Sequence, residues 1–575
     1  MGKTPQFDKA LDEILSDLKP HKGICKTCRV DFEIFVEDIE VYHKLRVPPP
    51  TLCPLCRMQR RMALSLRLPP FYKKSCTVPG HTEKVVSLFP ESSPHQVYDN
   101  VYWRSDGWDA LDYGREYQPH QDFSPQFKVL FFRVPHQALF VDPQSVNSEY
   151  TIGGIASKNC YYVGAPLYSE NIIYAFAPTH SRDSVDVVSI YESELLYESI
   201  YCHGCYNCNF CMESVNCRDS WFLYDCHNCD NCFLSANLRN KSYYFLNRQL
   251  TKGEYEKKLK SLRLGRRSVL TRLKKEFAKL YHTAIHRFAD TKHTVNSIGD
   301  KIFDCNKCYW VFDASENCEN LRFVEHAIAC KDSSDVVGFD HSSLTYEASG
   351  IGSGSHILFS VNLRNCSFTE YSAYCRDSNY CFGSVGLRSK NFCVFNRQYG
   401  EKDYWKKLDT IKTEMLRRGE YGEFFSMALG LIPYQNTYAQ REFPLDQEKA
   451  TERGMPWYED KERALPAGIE ILDSGSVPDE IQAVGDDILE KGILCEVTGK
   501  PFRIVKPELE FYRKKGLPLP VRHPDQRMRE RFDQMNRFRL WQYPCSKCGQ
   551  QMYTPYNPEK KLKVYCESCY LKEGI

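Results

Sequence analysis

The residues best suited to chemistry in this sequence are its cysteines. Cys25-x2-Cys28 is followed after 24 residues by Cys53-x2-Cys56, and Cys545-x2-Cys548 by Cys566-x2-Cys569 after 17. Two thiolate pairs at such separations suit a tetrahedral zinc ion, one pair on a turn and the other opening a helix. Four cysteines close the coordination shell, so both sites are expected to be structural, with two zinc ions in all. Cys25, Cys28, Cys53 and Cys56 then define an N-terminal module of treble-clef type. Cys545, Cys548, Cys566 and Cys569 define a C-terminal zinc ribbon, with YTPYNP (553–558) looping between its knuckles.

Other groups offer weaker chemistry. Cys202, Cys205, Cys208 and Cys211 recur every third residue, as do Cys226, Cys229 and Cys232. Closely spaced thiolates can wrap an iron-sulfur cluster or a further zinc, but small buried cysteines give the same pattern. Cys76 and His81 lack a partner pair in sequence and are assigned to the core. Arg57, Arg60 and Arg61 stand at i, i+3 and i+4 if Cys56 opens a helix, and are candidate phosphate contacts. Arg263, Arg266, Arg267, Arg272, Lys274 and Lys275 add a second basic stretch. A solvated charged face is the alternative for both. The aromatic stretch 101–117 suits stacking on sugars or bases, or a core. No P-loop, nucleophile elbow or HExxH motif is present.

The elements that must position these residues emerge from two internal duplications. Cys232–Leu259 matches Cys381–Leu408 without a gap, at an offset of 149 that extends back to Asp183 and Asp186 against Asp332 and Asp335. At that offset Cys205, Cys208, Cys211 and Cys229 meet Gly354, Ile357, Ser360 and Ser378, which suits an interior rather than a cluster. Residues 25–61 match 495–531 at an offset of 470, with Phe32, Tyr42 and Arg57 facing Phe502, Tyr512 and Arg527. This second copy has lost ligands: Cys28, Cys53 and Cys56 become Thr498, His523 and Gln526. Only Cys495 and His523 remain, too few for structural zinc, so this copy is expected to fold by packing alone.

Within the larger repeat, Trp221/Phe222, Cys232/Phe233 and Tyr243/Tyr244 recur every eleven residues between Asn, Asp, Ser and Gly turns. Short strands repeated this way bury an apolar face only by stacking. The fold expected is multidomain and mainly β, a duplicated parallel β-solenoid of about 11 or 22 residues per coil. Helical inserts and the treble-clef and zinc-ribbon modules flank it. Thr251 and Glu254 form a capping box. Leu270, Leu273, Phe277, Leu280 and Ala284 keep helical spacing, as do Trp405, Leu408, Ile411 and Met415. The domains expected are 1–75 (first module), 76–156 (aromatic-rich connector), 157–260 and 305–409 (solenoid repeats), 261–304 (basic helical insert), 410–490 (connector with Pro466 and an acidic run), 491–540 (degenerate module) and 541–575 (ribbon).

The pattern C-x2-C, F-x-I, an acidic residue, VY or FY, P-x-P and CPxCRxxRR resembles the "probable zinc-ribbon" module of uncharacterised bacterial proteins. Together with the NCYY and NLRNK segments and the terminal CxxC ribbon, the chain looks like large multi-zinc-ribbon proteins of candidate-phylum bacteria. The resemblance implies an architecture and no activity.

Composition bounds the function. Among 575 residues, 76 Lys plus Arg nearly balance 74 Asp plus Glu, which excludes a generally basic nucleic-acid coat. No apolar run is long enough to span a bilayer and the start lacks a signal-peptide core, so a cytoplasmic protein without membrane association is expected. In that reducing compartment C-x2-C pairs are metal ligands more often than disulfides. The reading is a non-catalytic zinc scaffold that binds a protein or RNA partner. The alternatives are a nucleic-acid-binding factor and a carbohydrate-active solenoid enzyme. The latter would use Asp183, Asp186, Asp332 and Asp335, although acids repeated in both halves read more simply as turn formers.

Overall fold

A computed structural model describes residues 3–66, 71–458, 465 and 468–574, leaving Pro466 outside. The architecture mixes helices with a large parallel sheet. Twelve strands, from Thr291–Lys292 to Arg397–Gln398, form that sheet, parallel except where Asn391–Val394 meets Arg397–Gln398. A second run of parallel pairing extends from Val146 to Phe245, through short strands such as Trp221–Tyr224 and Phe233–Ala236 and many single-residue bridges.

The register sets the period. Arg182 pairs with Glu194, Glu194 with Tyr206, Tyr206 with Arg218 and Arg218 with Asp230, so partners in this ladder stand 12 residues apart, whereas the twelve-stranded sheet begins with spacings of 11 (Ile298 to Tyr309) and 13 (Tyr309 to Arg322) before settling at 12. This corrects the eleven-residue spacing. Trp221 faces Phe233, not Cys232. The aromatic doublets shift in register by one residue each time and imitate a shorter repeat.

The first ladder in the chain, from Val146 to Phe245, is built from three-residue units. The middle residue takes a left-handed conformation at every third position from Asn171 to Tyr243, with Gly204 among them. The left-handed region costs a non-glycine residue roughly 1–2 kcal/mol, least for Asn and Asp, which explains the many Asn and Asp corners. Ladder bonds on both sides offset the strain: Tyr191 N donates to Cys202 O at 2.9 Å and Glu192 N to Thr179 O at 3.0 Å. The corner side chains also stack. Asn147, Asn159, Asn171 and Asp183 form a chain of side-chain hydrogen bonds at 3.2, 3.0 and 2.8 Å.

The residue after each corner points inward. Val187, Ile190, Leu196, Cys202, Cys205, Cys208, Cys211, Cys217, Leu223, Cys226, Cys229 and Cys232 are all buried there. Serines share the position and accept the N–H twelve residues on, as when Cys205 N donates to Ser193 Oγ at 3.1 Å. The thiols likewise donate to carbonyls: Cys208 Sγ lies 3.5 Å from Tyr206 O and 3.4 Å from Cys217 O. Cysteine and serine therefore alternate because either can satisfy backbone groups inside a narrow interior.

The helices form where the spacing places them. Thr251 and Glu254 cap Lys252–Ser261 reciprocally. Leu270, Leu273 and Phe277 are the buried face of Arg267–Thr283, and Leu408, Ile411 and Met415 that of Glu401–Arg417, where Tyr404 rather than Trp405 is buried. The aromatic stretch packs against the twelve-stranded sheet. Trp103 and Trp108 are buried, with the Arg388 guanidinium 5.5 and 5.0 Å from their rings.

Candidate metal centres and the buried arginine clamps

Both four-cysteine groups assemble, with each set of sulfurs within 4.8 Å of one another. Cys25 follows the strand His21–Ile24, and Arg29 N bonds back to Cys25 O at 3.0 Å with Arg29 in the left-handed region. Cys53 sits just before the helix Pro54–Ala63, so the second pair opens that helix. The C-terminal group repeats the design: Gly549 N bonds to Cys545 O at 2.9 Å, and Cys566 precedes the helix Glu567–Lys572. Cys28 and Cys53, and likewise Cys548 and Cys566, bring their sulfurs to 3.7 Å. A tetrahedral ion with metal–sulfur bonds of about 2.3 Å would place its sulfurs roughly 3.8 Å apart.

Within each group the thiol pKa values are pushed apart, Cys25, Cys53, Cys545 and Cys566 lying below the ordinary thiol value and Cys28, Cys56 and Cys569 above it. The Cys56 side chain, with backbone and other cysteine donors, brings Cys53 down to about 5 against opposing burial. Burial raises Cys545, but backbone donors from Cys566, Cys548 and Lys547 outweigh it and bring it to about 6. The eight cysteines are thus compatible with two metal ions in closed, all-protein shells.

The degenerate module keeps the backbone without the ligands. Gly499 N bonds to Cys495 O at 2.9 Å, as in the other two knuckles. His523 precedes the helix Pro524–Gln534, where Cys53 stands in the first module, and its Nδ1 accepts the Asp525 N–H at 3.1 Å. Among the described residues no third ligand joins Cys495 and His523.

Among the described residues, the inward cysteines of the two ladders form no such group either: none of them belongs to a group of three ligand atoms within 4.8 Å.

Arg57, Arg60 and Arg61 are the main correction to the sequence reading. They lie on the helix Pro54–Ala63 and face the twelve-stranded sheet, so they present no basic surface to a phosphate. Arg57 and Arg61 are 2% and 0% exposed. Arg57 Nε and Arg61 Nη1 both donate to Asp335 Oδ1, at 2.9 and 2.7 Å. Arg60 donates to Glu347 at 3.2 Å and Glu423 at 3.1 Å. Burial raises the Asp335 carboxyl, but Arg57 and Arg61 overcome it and hold the group below its ordinary value. Burial pushes the neighbouring Glu325 up to about 8 against Arg61.

The second duplication repeats this clamp on the other ladder. Arg527 and Arg531 of the helix Pro524–Gln534 pair with Asp186, the Arg531 contact at 2.8 Å. Arg527 also bonds Glu508 at 3.0 Å, and Arg531 Nη2 donates to Tyr174 O at 3.3 Å, as Arg61 Nη2 does to Phe323 O at 3.3 Å. Tyr42 packs edge-on to Tyr346, and Tyr512 edge-on to Tyr197.

All four repeated aspartates stand at left-handed corners, as turn formers should. Asp183 and Asp332 accept side-chain amides from Asn171 and Asn320 at 2.8 Å each. Asp186 and Asp335 do more, anchoring the modules. The sequence reading missed this role, although the conjunction of both offsets, 149 for the aspartates and 470 for the arginines, was its signal.

The basic insert is partly engaged. Arg266 pairs with Glu480, Arg267 donates to Val477 O at 2.7 Å, and Lys274 meets Glu198 at 2.6 Å. No protein-family model matches the chain, and no curated protein matches it either. Among the described residues no helix is long and apolar enough to cross a membrane.

Proposed function

We propose that the chain is a non-catalytic interaction scaffold of the multi-zinc-ribbon class it resembles, with zinc in both four-cysteine sites and a protein partner. The two ladders are taken as parallel β-solenoids. Their rigidity would come from stacked corners, and their fixed relation to the modules from the arginine clamps. The observation that carries this reading is the burial of Arg57, Arg60 and Arg61 against carboxylates. It turns the sequence's best nucleic-acid face into internal structure and favours protein over RNA. The outward rows supply binding surface: Tyr168, His180, Tyr191 and His203 succeed one another with ring centroids 5.0, 6.1 and 5.3 Å apart, and Tyr168 and Tyr191 are exposed. Exposed aromatic rows on a rigid support are typical anchors for a partner.

Affinity purification from the native cell, with and without nuclease, tests this. A partner protein retained after nuclease and lost with Tyr168→Ala/Tyr191→Ala supports the scaffold. Salt-sensitive nucleic acid carried by the wild type would replace it with the nucleic-acid reading.

A further inference from the structure

A third group of ligand-type side chains lies apart from both four-cysteine sites, in the connector that the sequence reading assigned to the core. Cys76 follows the strand Tyr72–Ser75, which pairs antiparallel with Lys84–Ser87. The intervening turn is closed by His81 N donating to Val78 O at 3.1 Å, and it needs Gly80, whose φ is +86°. Thr77 N donates to Val97 O at 2.8 Å, which draws Asp99 alongside. Asp99 divides its carboxylate between two tasks. Oδ1 accepts the N–H groups of Val101 and Tyr102 at 2.9 Å each, capping the helix Asn100–Arg104. Oδ2 faces Cys76 Sγ at 3.8 Å and His81 Nδ1 at 3.4 Å.

The convergence is on one atom. His81 Nδ1 also lies 3.6 Å from Cys76 Sγ and 3.3 Å from Glu83 Oε1. A ring nitrogen carries one hydrogen or one lone pair, so it cannot satisfy a thiol and two carboxylates at once. A nucleophile–base–acid relay is also excluded by this geometry, because it would use both ring nitrogens, one for each partner. A cation among the three groups satisfies all of them. Tetrahedral zinc, with sulfur at about 2.3 Å and nitrogen or oxygen at about 2.0–2.2 Å, puts its ligand atoms roughly 3.3–3.6 Å apart, close to the separations found.

We propose that Cys76, His81 and Asp99 bind a third divalent ion of the zinc class, with its fourth position open on the solvent side beside Glu83. The mixed sulfur, nitrogen and oxygen donors suit zinc rather than magnesium or calcium. Three protein ligands distinguish this site from the closed four-cysteine shells and leave room for a water or a small anionic ligand. Cys76 is buried, whereas His81 and Asp99 are partly exposed, so the open position faces out.

Native mass spectrometry of the full chain, loaded with zinc and desalted, reads the site as a difference. Cys76→Ser and His81→Ala should each carry one ion fewer than the wild type, while Cys28→Ser independently reports the first four-cysteine site. His81→Ala removes a partly exposed side chain, and circular dichroism confirms that it folds. Equal metal content in the wild type and both variants would overturn the proposal, whatever the occupancy of the other two sites.

Discussion

Arg531 stands 470 residues after Arg61 and pairs with Asp186, which stands 149 residues before Asp335, the partner of Arg61. The N-terminal module therefore clamps the second ladder and the degenerate module clamps the first. Two duplications that are independent in sequence meet in one repeated contact. This also explains how residues 495–531 keep their fold after losing three cysteines: Arg527, Arg531, Glu508 and Tyr512 tie the copy to the ladder instead.

Removing one partner of a buried ion pair leaves the other uncompensated, at a cost of about 3–5 kcal/mol. Asp335→Ala and Asp186→Ala should each destabilise by that order in urea denaturation. Lys44→Ala, at a half-exposed pair with Asp332, should cost less than about 1 kcal/mol.

The inward cysteines should tolerate both serine and valine, since Val187, Leu196 and several serines share the inward position. Cys205 and Cys208 direct their sulfurs at backbone carbonyls, and Ser193 and Ser220 occupy equivalent positions. Tyr206 O and Cys217 O already accept the N–H groups of Asp219 and Tyr206, so Cys208→Val removes only a supplementary donor, and both it and Cys205→Ser should cost no more than about 1 kcal/mol. Neither change should alter metal content, and iron or visible absorbance lost in the double variant would contradict the core assignment.

Metal content should respond selectively to the ribbon. Cys548→Ser should remove one ion and loosen residues 541–574, including the parallel pairing of Lys563–Tyr565 with Ile285–Arg287. Cys25–Cys56 should keep its ion. Hydrogen exchange after the substitution should rise in those strands and leave His21–Ile24 protected.

Stability should fall on the acid side. Burial holds His136 and His286 down to about 4, each against a bond from its ring to a backbone carbonyl, Phe131 O and Tyr281 O. Each is neutral in the fold and protonates near 6.5 when unfolded, so the unfolded state takes up the proton first. The stabilisation is complete above pH 6.5 and is lost as pH falls towards 4, by up to about 3 kcal/mol per histidine. Comparing wild type with His286→Phe in denaturation series at pH 7 and pH 5 isolates one share from acid release of metal, since the variant should lose less stability.

Much was legible in the sequence because it depended on local spacing. Four thiolates in two C-x2-C pairs, the Thr251–Glu254 cap and the helical apolar stripes are decided within a few turns of chain. The period was misread because aromatic doublets dominate the eye, while the rule lies in the small residues: every third position inward, every third left-handed. The clamp was illegible for a different reason. Arg57 and Asp335 are 278 residues apart, and a charged helix face reads as solvated until its partner surface is known. Asp99 was missed beside Cys76 and His81 because only the Thr77–Val97 pairing brings it there.

The central claim is that paired clamps fix the modules to opposite ladders. A double-mutant cycle in denaturation, with Arg61→Met, Asp335→Ala and their combination, tests it most directly, with Arg531→Met and Asp186→Ala as the matched cycle. Strong coupling of about 2–3 kcal/mol in both cycles is predicted, because once the aspartate is gone Arg61 or Arg531 has lost its closest countercharge and its removal costs less, while Arg57 and Arg527 are unchanged throughout each cycle. Additive losses in both cycles would mean that these residues do not touch, and would contradict the account.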